Sequence, residues 1–261
     1  MKAVTLITGA SDGIGAELAR VFAANNHELV LVARRQDRLE ALADEIAATG
    51  KPRPLVLVVD LEQRDAVKQI REQLSLQNLE PEIVVNNAGF GLSGSAAVLS
   101  RDEQLAMIDL NVRALTELSL AFVDSLERHR GGILNVASIA GFLPGPGMAV
   151  YYATKAYVLS FSEALHRELS GRGVRVTTLC PGPVLTGFQT RSGMRIDNIP
   201  KFVMLSAQRV AQIGYRGFVR GKRVVVAGIA NKIIVCLFRL LPNGLLMAMV
   251  DQRTQNRNGA P

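Results

Sequence analysis

The chain has no tryptophan, two cysteines and three histidines in 261 residues. Cys180 and Cys236 cannot form a disulfide framework, and neither has metal-ligand spacing. Both lie in apolar sequence and read as buried thiols of a reducing compartment. His27, His129 and His166 are far apart in sequence, so no metal is expected, and each reads as an exposed loop or helix residue. Also missing is any Lys/Arg run of five or more. With the cations scattered through helices and loops, the net charge of +7 does not point to nucleic acid, and a bound anionic small molecule suits it as well. No apolar run reaches the roughly 18 residues of a membrane span. The first apolar run ends within a few residues at Thr8-Gly9, so it reads as a strand and not a signal peptide, and the expected location is cytoplasmic. No linker or internal repeat interrupts residues 1–261, which implies one domain.

What is present alternates. Apolar strands are predicted at 3–7, 28–33, 55–59, 83–85, 131–137, 174–179 and 223–227. Helical patterns fall at 16–25, 37–48, 63–76, 101–128, 149–170 and 207–220. Strand and helix in turn give a parallel, doubly wound sheet, with ligands at the carboxyl ends of the strands. Gly9, Arg34, Asp60 and Asn87 all fall at such ends. Residues 187–205 have weak periodicity and read as a lid over the site, within a region reaching 220. The stretch 231–250 is an apolar extension, expected to be buried against the domain, the substrate cleft or another subunit, and residues 251–261 are polar.

Two stretches carry chemistry. The first strand runs into Thr8-Gly9-Ala10-Ser11-Asp12-Gly13-Ile14-Gly15 and then a helix. Glycines let the backbone approach a pyrophosphate, and a helix N-terminus supplies free N–H groups and the positive end of its dipole. The second strand ends in Ala33-Arg34-Arg35. A carboxylate there would hold the 2′-hydroxyl of NAD; two guanidiniums suit a 2′-phosphate. The second stretch runs from Ser138 to Lys155. A Tyr and a Lys at i, i+4 share a helix face, and a cation beside a phenol is expected to lower its pKa towards neutrality. Two tyrosines, Tyr151 and Tyr152, lie within reach of Lys155, and spacing alone does not choose between them. Asn111 falls near the centre of a long helix, where Asn is unfavourable, and reads either as a surface residue or as a polar group facing the site.

Thr8-Gly9-x-x-x-Gly13-x-Gly15, Asp60-Leu61, Asn86-Asn87-Ala88-Gly89, Asn111, Ser138, Tyr151-x-x-x-Lys155 and Pro181-Gly182 together resemble the short-chain dehydrogenase/reductase family, over residues 3 to about 227. The resemblance implies a Rossmann fold of class α/β, a seven-stranded mostly parallel sheet with helices on both faces. It implies a catalytic set of Asn111, Ser138, Tyr151 and Lys155, with Tyr151 the general acid/base and Asn111 positioning a water that relays protons to Lys155. It places Gly9, Ser11, Gly13 and Ile14 at the pyrophosphate, Asp60 and Leu61 at the adenine, and Asn87, in the run with Ala88 and Gly89, at its ribose side. Pro181, Gly182, Val184 and Thr186 would meet the nicotinamide carboxamide. The Ala-Arg-Arg strand end resembles NADP-using members, with Arg34 and Arg35 at the 2′-phosphate. Asp12 departs from them, since many carry a cation there. The implied activity is hydride transfer between NADP(H) and a carbonyl or secondary alcohol, in a homodimer or homotetramer. Two alternatives stand beside it: a membrane-surface reductase of lipid-like 3-oxoacyl substrates, with peripheral contact through 231–250, and a non-catalytic NADP(H)-binding sensor.

Overall fold

A computed structural model describes residues 1–184, 192–193 and 200–241. Seven strands form one sheet: β1 (Lys2–Thr8), β2 (Leu29–Ala33), β3 (Leu55–Val58), β4 (Leu79–Asn86), β5 (Gly132–Val136), β6 (Arg175–Cys180) and β7 (Val224–Val226). Their order is β3-β2-β1-β4-β5-β6-β7, and every pairing is parallel. Strand order reverses between β1 and β4, which opens a crevice beyond their carboxyl ends.

Nine helices accompany the strands among the described residues: α1 (Gly13–Ala24), α2 (Gln36–Ala48), α3 (Ala66–Leu76), α4 (Arg101–Ile108), α5 (Leu115–Ala121), α6 (Val123–Arg128), α7 (Ala149–Ser170), α8 (Ala207–Val219) and α9 (Ile229–Leu240). Alternate strand residues face opposite layers. Leu6, Val30, Val32, Val84, Ile133 and Val176 pack with α3, α5 and α7. Ile7, Leu31, Val85, Leu134 and Leu179 pack with α1, α2 and α8. A sheet covered on both faces accounts for the near-continuous apolar strands.

Three expectations need correction. β4 begins at Leu79, not Ile83, although Glu80, Pro81 and Glu82 interrupt the apolar run. Residues 79–82 pair with β1 alone, so Pro81 sits where a missing N–H breaks no second ladder, beside a register shift at Val4/Thr5. The helix expected over 101–128 is three helices, with a π-helical turn at Asp109–Ala114 and a break at Phe122. Cys180 is buried, but Cys236 is exposed. In the apolar extension Val235 is buried, whereas Ile233, Leu237 and Leu240 stay exposed; residues 242–250 lie outside the described residues.

The histidines also differ from expectation. His27 hydrogen-bonds Glu82 and the Tyr215 hydroxyl. His129 bonds Glu80, and His166 Nδ1 lies 2.7 Å from the Val176 carbonyl. Each ties a helix or turn to a strand, a role that pairing in space creates and sequence separation hides.

Candidate active site

The loop after β1 is shaped by backbone conformation. Gly9 has φ +64° and Gly13 φ +54°, the left-handed region that glycine enters freely. A Cβ on Gly15 would lie 2.2 Å from the Gly9 carbonyl oxygen, so the turn closes only with hydrogen there. Thr8 Oγ1 donates to the Val85 carbonyl and accepts from the N–H groups of Asn87 and Ala88 at 3.0 and 3.1 Å. Asn87 Nδ2 donates in turn to the carbonyls of Thr8 and Gly9. The ends of β1 and β4 are thus stitched together, and the Asn87 side chain is spent on the loop.

Asp12 is the cap of α1. Its carboxylate accepts from Gly13 N at 2.7 Å and lies 3.6 Å from Arg35 and 3.3 Å from Arg38. An acid at this position is therefore compatible with an anion site, because two guanidiniums offset it. Arg35 also donates to Ser11 Oγ at 3.0 Å. Arg34 reaches the other way, 3.2 Å from Glu62 and 3.8 Å from Asp60. A bare-backbone turn, a helix N-terminus and two guanidiniums at the adjoining strand end fit a phosphorylated dinucleotide.

The second half of the site stands on α7. Met148 precedes it, and the short 3-10 turn Ile139–Phe142 packs against it so closely that a Cβ on Gly141 would lie 2.6 Å from the Lys155 carbonyl. That contact fixes Ser138, which caps the turn by accepting from Ala140 N, against Tyr151 and Lys155. Ser138 hydrogen-bonds the Tyr151 hydroxyl. Lys155 Nζ donates to the Val136 carbonyl at 3.0 Å and lies 5.9 Å from the Tyr151 ring centre.

The expected electrostatics run the other way. Burial pushes Tyr151 up to about 12, against the Ser138 hydrogen bond that lowers it. Burial also pushes Lys155 down to about 8. The ammonium faces a carbonyl and the ring, not the phenol oxygen, and its own charge is weakened by desolvation. These side chains alone leave Tyr151 a neutral phenol near pH 7, a proton donor.

Comparison with known proteins decides the family. The short chain dehydrogenase family model matches residues 3–196. The chain belongs to that family. It is 38% identical over 183 residues to an NADP-dependent 3-hydroxy acid dehydrogenase of Salmonella typhi, covering 69% of this chain and 72% of that one. Its fold is similar to a short-chain dehydrogenase from Sphingobium yanoikuyae in complex with NADPH, with a TM-score of 0.79, 32% identity and 88% and 89% of the two chains covered. It is also similar to a bulky-bulky ketone specific alcohol dehydrogenase from Comamonas testosteroni, with a TM-score of 0.75, 31% identity and 87% and 86% covered.

In this short-chain dehydrogenase the predicted residues converge. Gly89 lies between Asn111 and Lys155, its would-be Cβ 2.8 Å from Asn111 Oδ1 and 3.5 Å from Lys155 Nζ. Asn111 is buried in the π-helical turn. It accepts from Phe90 N and donates to the Phe90 carbonyl and to Thr154 Oγ1. Its unfavourable helical position is thus a wound-out turn that clamps the loop after β4 onto α7. Leu61 is buried beyond β3. Pro181, Gly182 and Val184 follow β6, and Thr186 lies outside the described residues.

Sequence reading missed several participants. Thr8 sits in the motif but was read only as its first letter. Arg38 is one turn beyond Arg34, a spacing that carried a signal. Thr154 lies between Tyr151 and Lys155. Asn231, fully buried, donates to the carbonyls of Val203 and Ala227 and packs on Gly182, and nothing in sequence joins it to that turn. Leu92, Leu99, Met107 and Met148 pack in the core beside Tyr151, and Gln104 borders them.

Proposed function

We propose that this NADP-dependent oxidoreductase reduces a carbonyl compound whose reacting group lies against Tyr151 and Ser138. The observation that carries the reading is buried Tyr151, facing Ser138 and beside Lys155 at the carboxyl end of the sheet. NADPH, when bound, supplies hydride to the carbonyl carbon.

The chain's own residues do the rest. Gly9, Ser11, Gly13 and Ile14 hold the pyrophosphate at the start of α1. Arg34 and Arg35, with Ser11, hold the 2′-phosphate; Asp60 and Leu61 flank the adenine, and Ala88 and Gly89 line the crevice beside Asn87. Pro181, Gly182, Val184 and Thr186 hold the carboxamide end. Tyr151 gives its phenolic proton to the oxygen as charge develops there, and Ser138 Oγ hydrogen-bonds the same oxygen. Lys155 holds ribose hydroxyls and returns a proton towards Tyr151. Asn111 positions the Gly89–Phe90 backbone beside Lys155.

The relatives' printed names support the reaction class, since one is an NADP-dependent hydroxy acid dehydrogenase and another acts on bulky ketones. Leu105, Ile108, Leu120 and Tyr157 leave apolar surface exposed on the helices α4, α5 and α7, which supports assembly with a second copy through that face. The test is NADPH consumption against aldehydes, aliphatic and aromatic ketones, 3-oxo acids and 3-oxoacyl thioesters, with Tyr151→Phe as control. Turnover of at least one carbonyl class that Tyr151→Phe removes is expected. NADPH binding with no turnover on any member would make the protein a sensor instead.

A further inference from the structure

The carboxyl-terminal third of the chain has a charge distribution that the total hides. Between residues 169 and 250 lie twelve of the thirty Lys and Arg but one of the twenty-three Asp and Glu, Asp197. Some of these cations find carboxylates on other elements, Arg172 at Glu127 and Arg223 at Glu163. From 200 to 241 no carboxylate occurs at all.

Helix α9 stands in this segment with its apolar side outward. At 100° per residue, Asn231 and Val235 lie on one face, and both are buried. Ile229, Ile233, Leu237 and Leu240 lie on the opposite face, 77%, 57%, 50% and 75% exposed. A surface helix of a soluble domain ordinarily turns polar residues to that side. Phe202, in the short turn Lys201–Val203 that touches α9, is also exposed, at 76%. Lys232 is exposed on the flank of the stripe. The helix cannot roll to hide it, because Asn231 is locked to the Val203 and Ala227 carbonyls.

We propose that α9 is a docking surface for an anionic lipid bilayer, its stripe entering the headgroup region and Lys232 on its flank meeting the lipid charge. A second copy of this chain is the weaker occupant. A two-fold interface would set a helix that carries Lys232 and Arg239 and no carboxylate against its own copy, whereas an anionic surface gains from each cation brought near it. The inference does not depend on the substrate.

Exposed Cys236 lies beside the stripe, while Cys180 is buried. A thiol-reactive environment-sensitive dye on the full-length protein therefore reads out α9. Vesicles of phosphatidylcholine with phosphatidylglycerol are expected to shift its emission to the blue and to sediment unlabelled protein at least about tenfold better than phosphatidylcholine alone, less so as salt rises. Ile233→Asp and Leu237→Asp, both at exposed positions, should each cut sedimentation about tenfold or more and leave turnover of a water-soluble carbonyl unchanged. Equal sedimentation with both vesicle types, or none, would overturn the proposal. So would a dimer that Ile233→Asp dissociates and that ignores vesicles, or a dye that is already blue and unresponsive because another part of the chain covers it.

Discussion

The two ends of the parallel sheet treat their titratable groups differently. At the amino end, near the starts of β1 and β4, buried or half-buried groups are matched. Glu82 meets His27, Glu80 meets Arg128 and His129, and Lys2 lies 2.6 Å from Glu28. The shifts there favour charge: Glu82 is held below the usual carboxylate range by its hydrogen bond to His27, and Glu80 by Arg128. At the carboxyl end the exposed rim is paired as well, Asp12 with Arg35 and Arg38 and Arg34 with Glu62, but inside it Lys155 meets a backbone carbonyl and Tyr151 a serine. There burial dominates and both groups are pushed towards their neutral forms. Paired charges stabilise the fold, whereas groups held away from their preferred charge are available for proton transfer.

Lys155 breaks the comparison most strongly. Its folded value, about 8, lies below the ordinary 10.5. Below pH 8 the folded chain carries the whole cost of a buried ammonium. Between pH 8 and 10.5 the unfolded chain binds more protons, so stability rises with pH. Tyr151 opposes this above pH 10, since it keeps its proton up to about 12 while the unfolded phenol ionises. The cofactor-free protein should therefore melt at higher temperature at pH 9.5 than at pH 7.5. Lys155→Met should remove that rise and stabilise the chain at pH 7.5, on the order of 3 kcal/mol before the lost hydrogen bond is counted, while abolishing turnover. A melting profile unchanged by the substitution would show that Lys155 is not buried as a charge.

Tyr151 against Tyr152 sharpens the same contrast within one helix. Tyr151 faces Ser138; Tyr152 lies against Gly145, where a Cβ would come within 2.4 Å of its ring. Tyr151→Phe is expected to lower kcat by about a hundredfold or more, with NADPH binding retained, the loss expected for a general acid. Tyr152→Phe should stay within about tenfold, since the ring packing survives. Titration of NADPH fluorescence alongside steady-state rates separates the two effects, and an inactive Tyr152→Phe beside an active Tyr151→Phe would reverse the assignment.

Arg34 tests whether a carboxylate near the site competes with a ligand. It already lies 3.2 Å from Glu62. Arg34→Ala should reduce the preference for NADPH over NADH about ten- to a hundredfold, the range of a charge-assisted contact. Glu62→Gln should raise NADPH affinity a few-fold by releasing the guanidinium. Dissociation constants for both cofactors measure this without turnover. A Glu62→Gln protein with weaker NADPH binding would mean that Glu62 orients Arg34.

Much of this was legible before the structure. Strand ends could be read because a two-sided buried sheet leaves near-continuous apolar runs that stop at the crevice, as at Ala33-Arg34 and Val59-Asp60. Helix α7 was read to the residue, Ala149 to Ser170, because its pattern is unbroken. The π-helical turn at Asn111 was not legible, since a local widening of a helix leaves the apolar spacing nearly unchanged. The pairing of Asp12 with Arg35 and Arg38 joins α1 to α2 across the crevice, and sequence distance conceals it. The direction of the Tyr151 shift was misread for a related reason: helical spacing gives the nearness of Lys155 but not the depth of burial or the carbonyl that claims its ammonium.

The amino end should yield the smallest effect. Glu82 accepts from His27 Nδ1 at 3.2 Å, an arrangement satisfied when Nδ1 carries the proton and Nε2 accepts from the Tyr215 hydroxyl. Because Glu82 is held below its ordinary value of 4.5, its contribution is complete above that pH and is lost as pH falls through the lower folded value. Glu82→Gln keeps the shape and removes the charge. It should cost about 1 kcal/mol near pH 6, or a few degrees in Tm, and leave kcat unchanged because the site lies at the other end of the strands. Once pH has fallen through that lowered value the parent and the variant should converge. A cost that persists undiminished below that value would mean that packing around Phe22 and Tyr215, not the Glu82 charge, holds this end together, and that the two ends differ less in charge pairing than their partners imply.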